Sequence, residues 1–197
     1  MRTFDRDKLL KTVAPKNSLP DGILEYDFLD IEIGAGTGMF ALDYSKKYKD
    51  RALISIEKTT KKFSKFNNAF QKVNRDNLFP MQDNGISWCA HHLKTESVDR
   101  FFFLYPNPNP KSGDLNKRFY AMPFMGFVIE CLKLDGEVIF ATNEKFYRDE
   151  AIFFMTNEWK LKLNKDLKIT SSEEPLTLFE KKYLERGQTC YHFSFSK

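Results

Sequence analysis

The chain has 197 residues, of which 42% are apolar, and a formal net charge of +4. That length suits one α/β domain with a full core and is short for two. No stretch approaches the ~18 apolar residues of a membrane span, and the three cysteines, Cys89, Cys131 and Cys190, are isolated and lack metal-ligand spacing. Residues 1–7 hold no continuous apolar run, so the expectation is a cytoplasmic protein without a secretory leader, bound to neither membrane nor metal.

Residues 1–25 predict a loose arm, broken by Pro15, Pro20 and Asp21-Gly22, and residues 26–197 the single domain. A strand over 28–33 runs into Gly34-Ala35-Gly36-Thr37-Gly38 and then a helix over 39–48. A second strand, 52–56, ends at Glu57, and Thr59 or Thr60 caps a helix to 73. A polar loop with Pro80 and Asp83-Asn84-Gly85 leads to a short third strand, 86–89. The fourth strand, 100–104, is broken by Tyr105-Pro106-Asn107-Pro108-Asn109-Pro110. A helix over 119–132, a turn at 134–136, a strand over 137–141 and a helix over 144–156 follow. The tail predicts strands over 159–166 and 188–196, joined by a loop. Strands alternating with helices predict an α/β, Rossmann-like fold, a mainly parallel seven-stranded sheet with helices on both faces and its last two strands antiparallel to the rest.

The glycine loop departs from the Gly-x-Gly-x-x-Gly of dinucleotide folds, because its third glycine comes one residue early. Glu32 stands two residues before the first glycine, where a carboxylate would repel a phosphate. It would instead favour an ammonium or a sulfonium, and S-adenosylmethionine carries both. Glu57, 19 residues after Gly38, is placed to accept hydrogen bonds from a ribose diol. Between Tyr44 and Arg75 ten Lys/Arg face two acids, and Lys58, Lys61, Lys62 and Lys65 share overlapping helical faces, a pattern suited to a polyanion.

Loop and paired acids together resemble the class I S-adenosylmethionine-dependent methyltransferases over most of the chain. The proline loop, followed by Lys111 and the basic pair Lys117-Arg118, is similar to that of the tRNA (guanine-N7)-methyltransferases. So are Ala141-Thr142-Asn143 and the segment Thr177-Leu178-Phe179-Glu180. The resemblance implies S-adenosylmethionine as cofactor, S-adenosylhomocysteine as product, and tRNA or another structured RNA as partner of a monomer or homodimer. It places the cofactor on Glu32, Gly34, Ala35, Gly36, Gly38, Glu57, Lys58, His91 and Asn107, the last also the catalytic position. Substrate falls to Lys111, Lys117, Arg118, Asn143, Thr177, Phe179 and Glu180.

Asn107 and Asn143 stand where that family has acids, and His91 falls near another. A carboxylate can accept both guanine N1–H and N2–H, whereas an asparagine offers one acceptor and one donor. N7 carries a lone pair and no proton, so its methylation needs alignment rather than a general base. Two alternatives remain on the same residues: transfer to an exocyclic amine or small molecule, and a non-catalytic RNA-binding module. Most of the 20 phenylalanines fit core positions, and Tyr105 and Tyr120 are expected to flank the pocket.

Overall fold

Residues 3–12 and 14–197 are described by the computed structural model, so residues 1, 2 and 13 of the expected arm lie outside the described residues. Among the described residues the strands are β1 (Phe28–Ile33), β2 (Arg51–Ile56), β3 (Leu78–Met81), β4 (Val98–Leu104), β5 (Leu132–Thr142), β6 (Lys162–Ile169) and β7 (Cys190–Ser196). The helices are α1 (Arg6–Thr12), α2 (Met39–Lys47), α3 (Thr60–Gln71), α4 (Gly85–His92), α5 (Phe124–Cys131), α6 (Lys145–Phe153) and α7 (Leu178–Glu185). The strands form one sheet in the order β3-β2-β1-β4-β5-β7-β6. Pairing is parallel from β3 through β5, and β7 is antiparallel to both β5 and β6. Of the two final strands expected to oppose the rest, β7 alone does so.

Alternation along the strands divides the core. Ile31, Ile54, Phe101, Phe103, Val138 and Phe140 face one side, packed by residues of α4, α5 and α6. Leu53, Phe102 and Leu104 face the other, against Phe40, Ala41 and Tyr44 of α2 and Phe66 of α3. The helices cover both faces, as the alternating pattern predicts. Parallel β1–β2 and β1–β4 pairing sends the chain to opposite sides of the sheet after β1 and β4, which opens a crevice at their carboxyl ends.

Several elements correct the sequence-based expectation. Residues 86–89 belong to α4, not to a strand, because the Asn84 side chain accepts from Ile86 N at 3.1 Å and caps a helix. The third strand is β3, which contains Pro80. As an edge strand it pairs only with β2, so one side of its backbone needs no donor. The loop expected in the tail contains α7, started by Thr177 Oγ1 accepting from Glu180 N at 3.1 Å. The arm is not loose where described. Arg6 donates to the carbonyls of Ala90 and Leu93, and the Phe4 ring meets Phe124 at 5.5 Å. All three cysteines are free and buried, as expected of small apolar core residues.

Candidate active site

β1 places two acids on one face, two residues apart, and the fold treats them differently. Asp30 is fully buried and fully paired: Arg51 binds both its oxygens at 2.6 Å and the Tyr44 hydroxyl donates at 2.7 Å. Glu32, 2% exposed, has an Oε2 with no partner among the described residues. Burial pushes its pKa up from 4.5 to about 7; the Glu57 carboxylate adds to the rise and the nearby Ser55 hydroxyl opposes it. A buried polar atom without a partner is costly, and Glu32 lines a cavity of about 450 Å³ from which a ligand can supply the donor.

The glycine loop forms the floor of that cavity. Gly34 and Ala35 donate their N–H groups to the Ile56 carbonyl at 2.8 and 3.0 Å, binding the loop to the end of β2. Gly34 and Gly36 take φ of 90° and 60°, and a Cβ built on either meets nothing within 4 Å, so their missing side chains leave space open. Gly38 has a different reason. It does not line the cavity, and a Cβ there would fall 1.9 Å from the Phe66 ring. Glu57, buried at the end of β2, accepts from Gly36 N at 2.8 Å and Thr59 N at 2.7 Å, one bond to each oxygen. Each oxygen keeps capacity for a further donor, as two ribose hydroxyls would require.

The opposite wall is the proline loop. Tyr105, Pro106 and Asn107 line the cavity, with Phe119 behind them. Asn107 turns its Oδ1 onto Asn109 N at 3.2 Å, and Asn109 returns its side-chain amide to the Asn107 carbonyl at 3.1 Å. The mouth is closed by Thr177, Leu178 and Phe179, with Lys62 and Lys65 of α3 and Lys182 of α7. Lys62 Nζ sits 5.7 Å from the centroid of the half-exposed Phe179 ring.

Of the residues expected at the cofactor, the structure brings Glu32, Gly34, Ala35, Gly36, Glu57 and Asn107 together around one cavity. Lys58 lies exposed beside it. His91 does not belong there: it is on α4 and its ring pairs with the Ser87 carbonyl at 2.8 Å. Reading α4 as a strand misplaced it. Thr177 and Phe179 line the cavity as expected of substrate residues, whereas Lys111 and Lys117 are exposed outside it and Lys117 pairs with Asp114 at 2.8 Å.

Three expected roles need revision. Arg118 is 3% exposed, donates to the carbonyls of Asn109 and Lys111 at 3.1 Å and pairs with Glu150, so it braces the proline loop from within rather than meeting a phosphate. Asn143 donates to Glu144 Oε1 at 3.1 Å, away from the cavity. Glu180 is 1% exposed and does not reach the cavity. Tyr120 is likewise fully buried, with its hydroxyl on Glu150, so Tyr105 alone of the two tyrosines flanks the pocket. Lys182, Phe119 and Leu178 also line the cavity and were not expected as site residues. Leu178 and Lys182 stand in or beside the Thr177–Glu180 segment, but only packing of α7 and the proline loop shows that they face the cavity, and no local motif marks Phe119.

A parallel sheet with one antiparallel strand, a glycine loop leaving its first strand and an acid ending its second define a Rossmann-like class I methyltransferase. The chain belongs to the family described as "Putative methyltransferase", whose profile matches residues 27–193. It is similar to proteins named tRNA (guanine-N(7)-)-methyltransferase. That of Bartonella quintana is 27% identical over 85% of this chain and 74% of its own length. That of Staphylococcus haemolyticus is 26% identical over 82% and 76%. In fold it is similar to precorrin-6y C5,15-methyltransferase from Geobacter metallireducens, at 12% identity and a TM-score of 0.62 over 98% of this chain and 87% of that one. Among the described residues no helix is long and apolar enough to cross a membrane, and no group of three or more His, Cys, Asp or Glu can hold a metal ion.

Proposed function

We propose that the chain transfers the methyl group of S-adenosylmethionine to N7 of a guanosine in tRNA. The observation that carries this reading is the Glu32 carboxylate, buried, without a partner on Oε2 and opening onto a cavity floored by bare glycine backbone. A buried acid in that state suits a cationic ligand, and the names of the relatives direct the choice of acceptor. The cofactor, when bound, supplies a methyl carbon on a sulfonium, and its carbon–sulfur bond breaks as the N7 lone pair bonds to that carbon.

The residues of the chain then have separable tasks. Glu32 meets an ammonium, and the spare acceptor capacity of Glu57 meets ribose hydroxyls. Asn107 and Tyr105 form the wall past which the base enters. Because N7 has no proton to lose, no group in the cavity has to act as a base, and the contribution of the site is alignment. Lys62, Lys65 and Lys182 at the mouth, with the half-exposed Phe179, give the positive charge and aromatic face that suit a nucleic acid. The same reading places the protein in the cytoplasm as a monomer or homodimer, with residues 26–197 as its one domain.

The test is incubation with tRNA and methyl-labelled S-adenosylmethionine, followed by digestion to nucleosides and mass spectrometry. Labelled 7-methylguanosine is expected. Label on an exocyclic amine or on a small molecule would overturn the acceptor, and retention of RNA without any transfer would overturn the enzyme.

A further inference from the structure

The substrate segment and the proline loop are not independent walls. A single buried oxygen joins them. Glu180, in the first turn of α7, accepts on Oε2 from the Tyr105 hydroxyl at 3.0 Å and from His192 Nε2 at 2.9 Å. Tyr105 is the first residue after β4; its N–H donates to the Ala141 carbonyl at 2.7 Å and its φ is 51°, a left-handed value that a tyrosine holds only when its surroundings impose it. His192 stands in the middle of β7, paired with Ala141 and Leu167. Burial raises the Tyr105 pKa, and Cys190 and Glu180 raise it further, so the phenol keeps its proton and donates. The Tyr183 ring on the next turn of α7 lies 5.8 Å from Tyr105.

We infer that Glu180 is a positioning residue, a latch acting through Tyr105 that sets the gap between Tyr105–Asn107 on one side and Thr177–Phe179 on the other. Tyr105 lines the cavity and Glu180 does not, so Glu180 reaches the base only through the tyrosine that its Oε2 holds. The gap it sets is the slot through which the acceptor base reaches the cofactor. A wall displaced by about 1 Å is enough to slow transfer 100-fold, because alignment is all this chemistry asks of the site.

The inference rests on the proposed transfer to tRNA and is tested with it. Wild type, Tyr105→Phe, Glu180→Gln and the double variant are compared for kcat and KM toward tRNA, and for affinity toward S-adenosylhomocysteine. Tyr105→Phe removes one hydroxyl and keeps the ring, so it folds even if Glu180→Gln does not. For a latch, Tyr105→Phe lowers kcat about 10–100-fold with cofactor affinity unchanged, and the double variant falls no further than the worse single one. Wild-type kcat in Tyr105→Phe, losses that multiply, or a rise confined to KM in Glu180→Gln each overturn the latch and leave the tRNA reading intact. No 7-methylguanosine from the wild type overturns both.

Discussion

Replacing Glu32 by Gln should make the protein more stable and less able to bind its cofactor. The carboxyl has its pKa raised from 4.5 to about 7 by burial. Between those two pH values the folded chain holds a proton that the unfolded chain has lost, so stability falls as pH rises through that window and then levels off. A rise of that size is worth about 3 kcal/mol. Glu32→Gln keeps the shape, cannot ionise and places an amide beside the Ser55 hydroxyl. At pH 8 the variant should unfold about 6–12 °C above the wild type, and at pH 4 the two should nearly coincide. Cofactor binding gives the opposite sign. Wild-type affinity for S-adenosylhomocysteine should fall up to tenfold per pH unit below about 7, whereas the variant should bind weakly at every pH. Thermal unfolding at the two pH values and calorimetric titration measure both effects. A variant less stable than the wild type at pH 8, or one that keeps wild-type affinity, would refute the assignment of Glu32 as a strained ligand for a cation.

Arg51→Met should act in the other direction from Glu32→Gln, because it leaves Asp30 buried and charged with only Tyr44 to donate; a loss of about 3–5 kcal/mol in urea unfolding is expected, and a neutral result would count against that pairing. Asn107→Asp keeps the acceptor that holds Asn109 N and restores a carboxylate at the cavity wall, so 7-methylguanosine formation should rise about tenfold; an unchanged or lower rate would sink the base-edge argument. Combined Lys62→Ala, Lys65→Ala and Lys182→Ala should lower the slope of log affinity for tRNA against log salt by about 2–3, and an unchanged slope would place the RNA elsewhere.

The half of the cavity built on the glycine loop was legible because its residues lie close together in sequence. A strand, three glycines and an acid from the next strand must meet wherever two parallel neighbours share a carboxyl edge, so Glu32, Gly36 and Glu57 could be placed without coordinates. Secondary structure failed where one side chain decided it. Asn84 turns the tetrapeptide Ile86-Ser87-Trp88-Cys89, which reads as a strand, into part of α4, and with that change His91 leaves the crevice. Thr177 makes a helix of a polar loop in the same way, and the helix buries Glu180. Arg118 shows a further limit: residue type predicts charge but not burial, and its guanidinium is spent on the loop it was expected to extend toward a phosphate. The opposite side of the cavity depends on long-range packing between α3, α7 and the proline loop; the Thr177–Phe179 segment was legible by resemblance, but no spacing along the chain encodes which lysines join it.

The most direct measurement is a calorimetric titration of S-adenosylhomocysteine into the wild type and Glu57→Ala at pH 8. Saturable binding at one site per chain, weakened at least tenfold in the variant, is the expected result. No heat of binding in the wild type, or equal affinity in both proteins, would contradict the claim that the two acids beside the glycine loop exist to hold that cofactor.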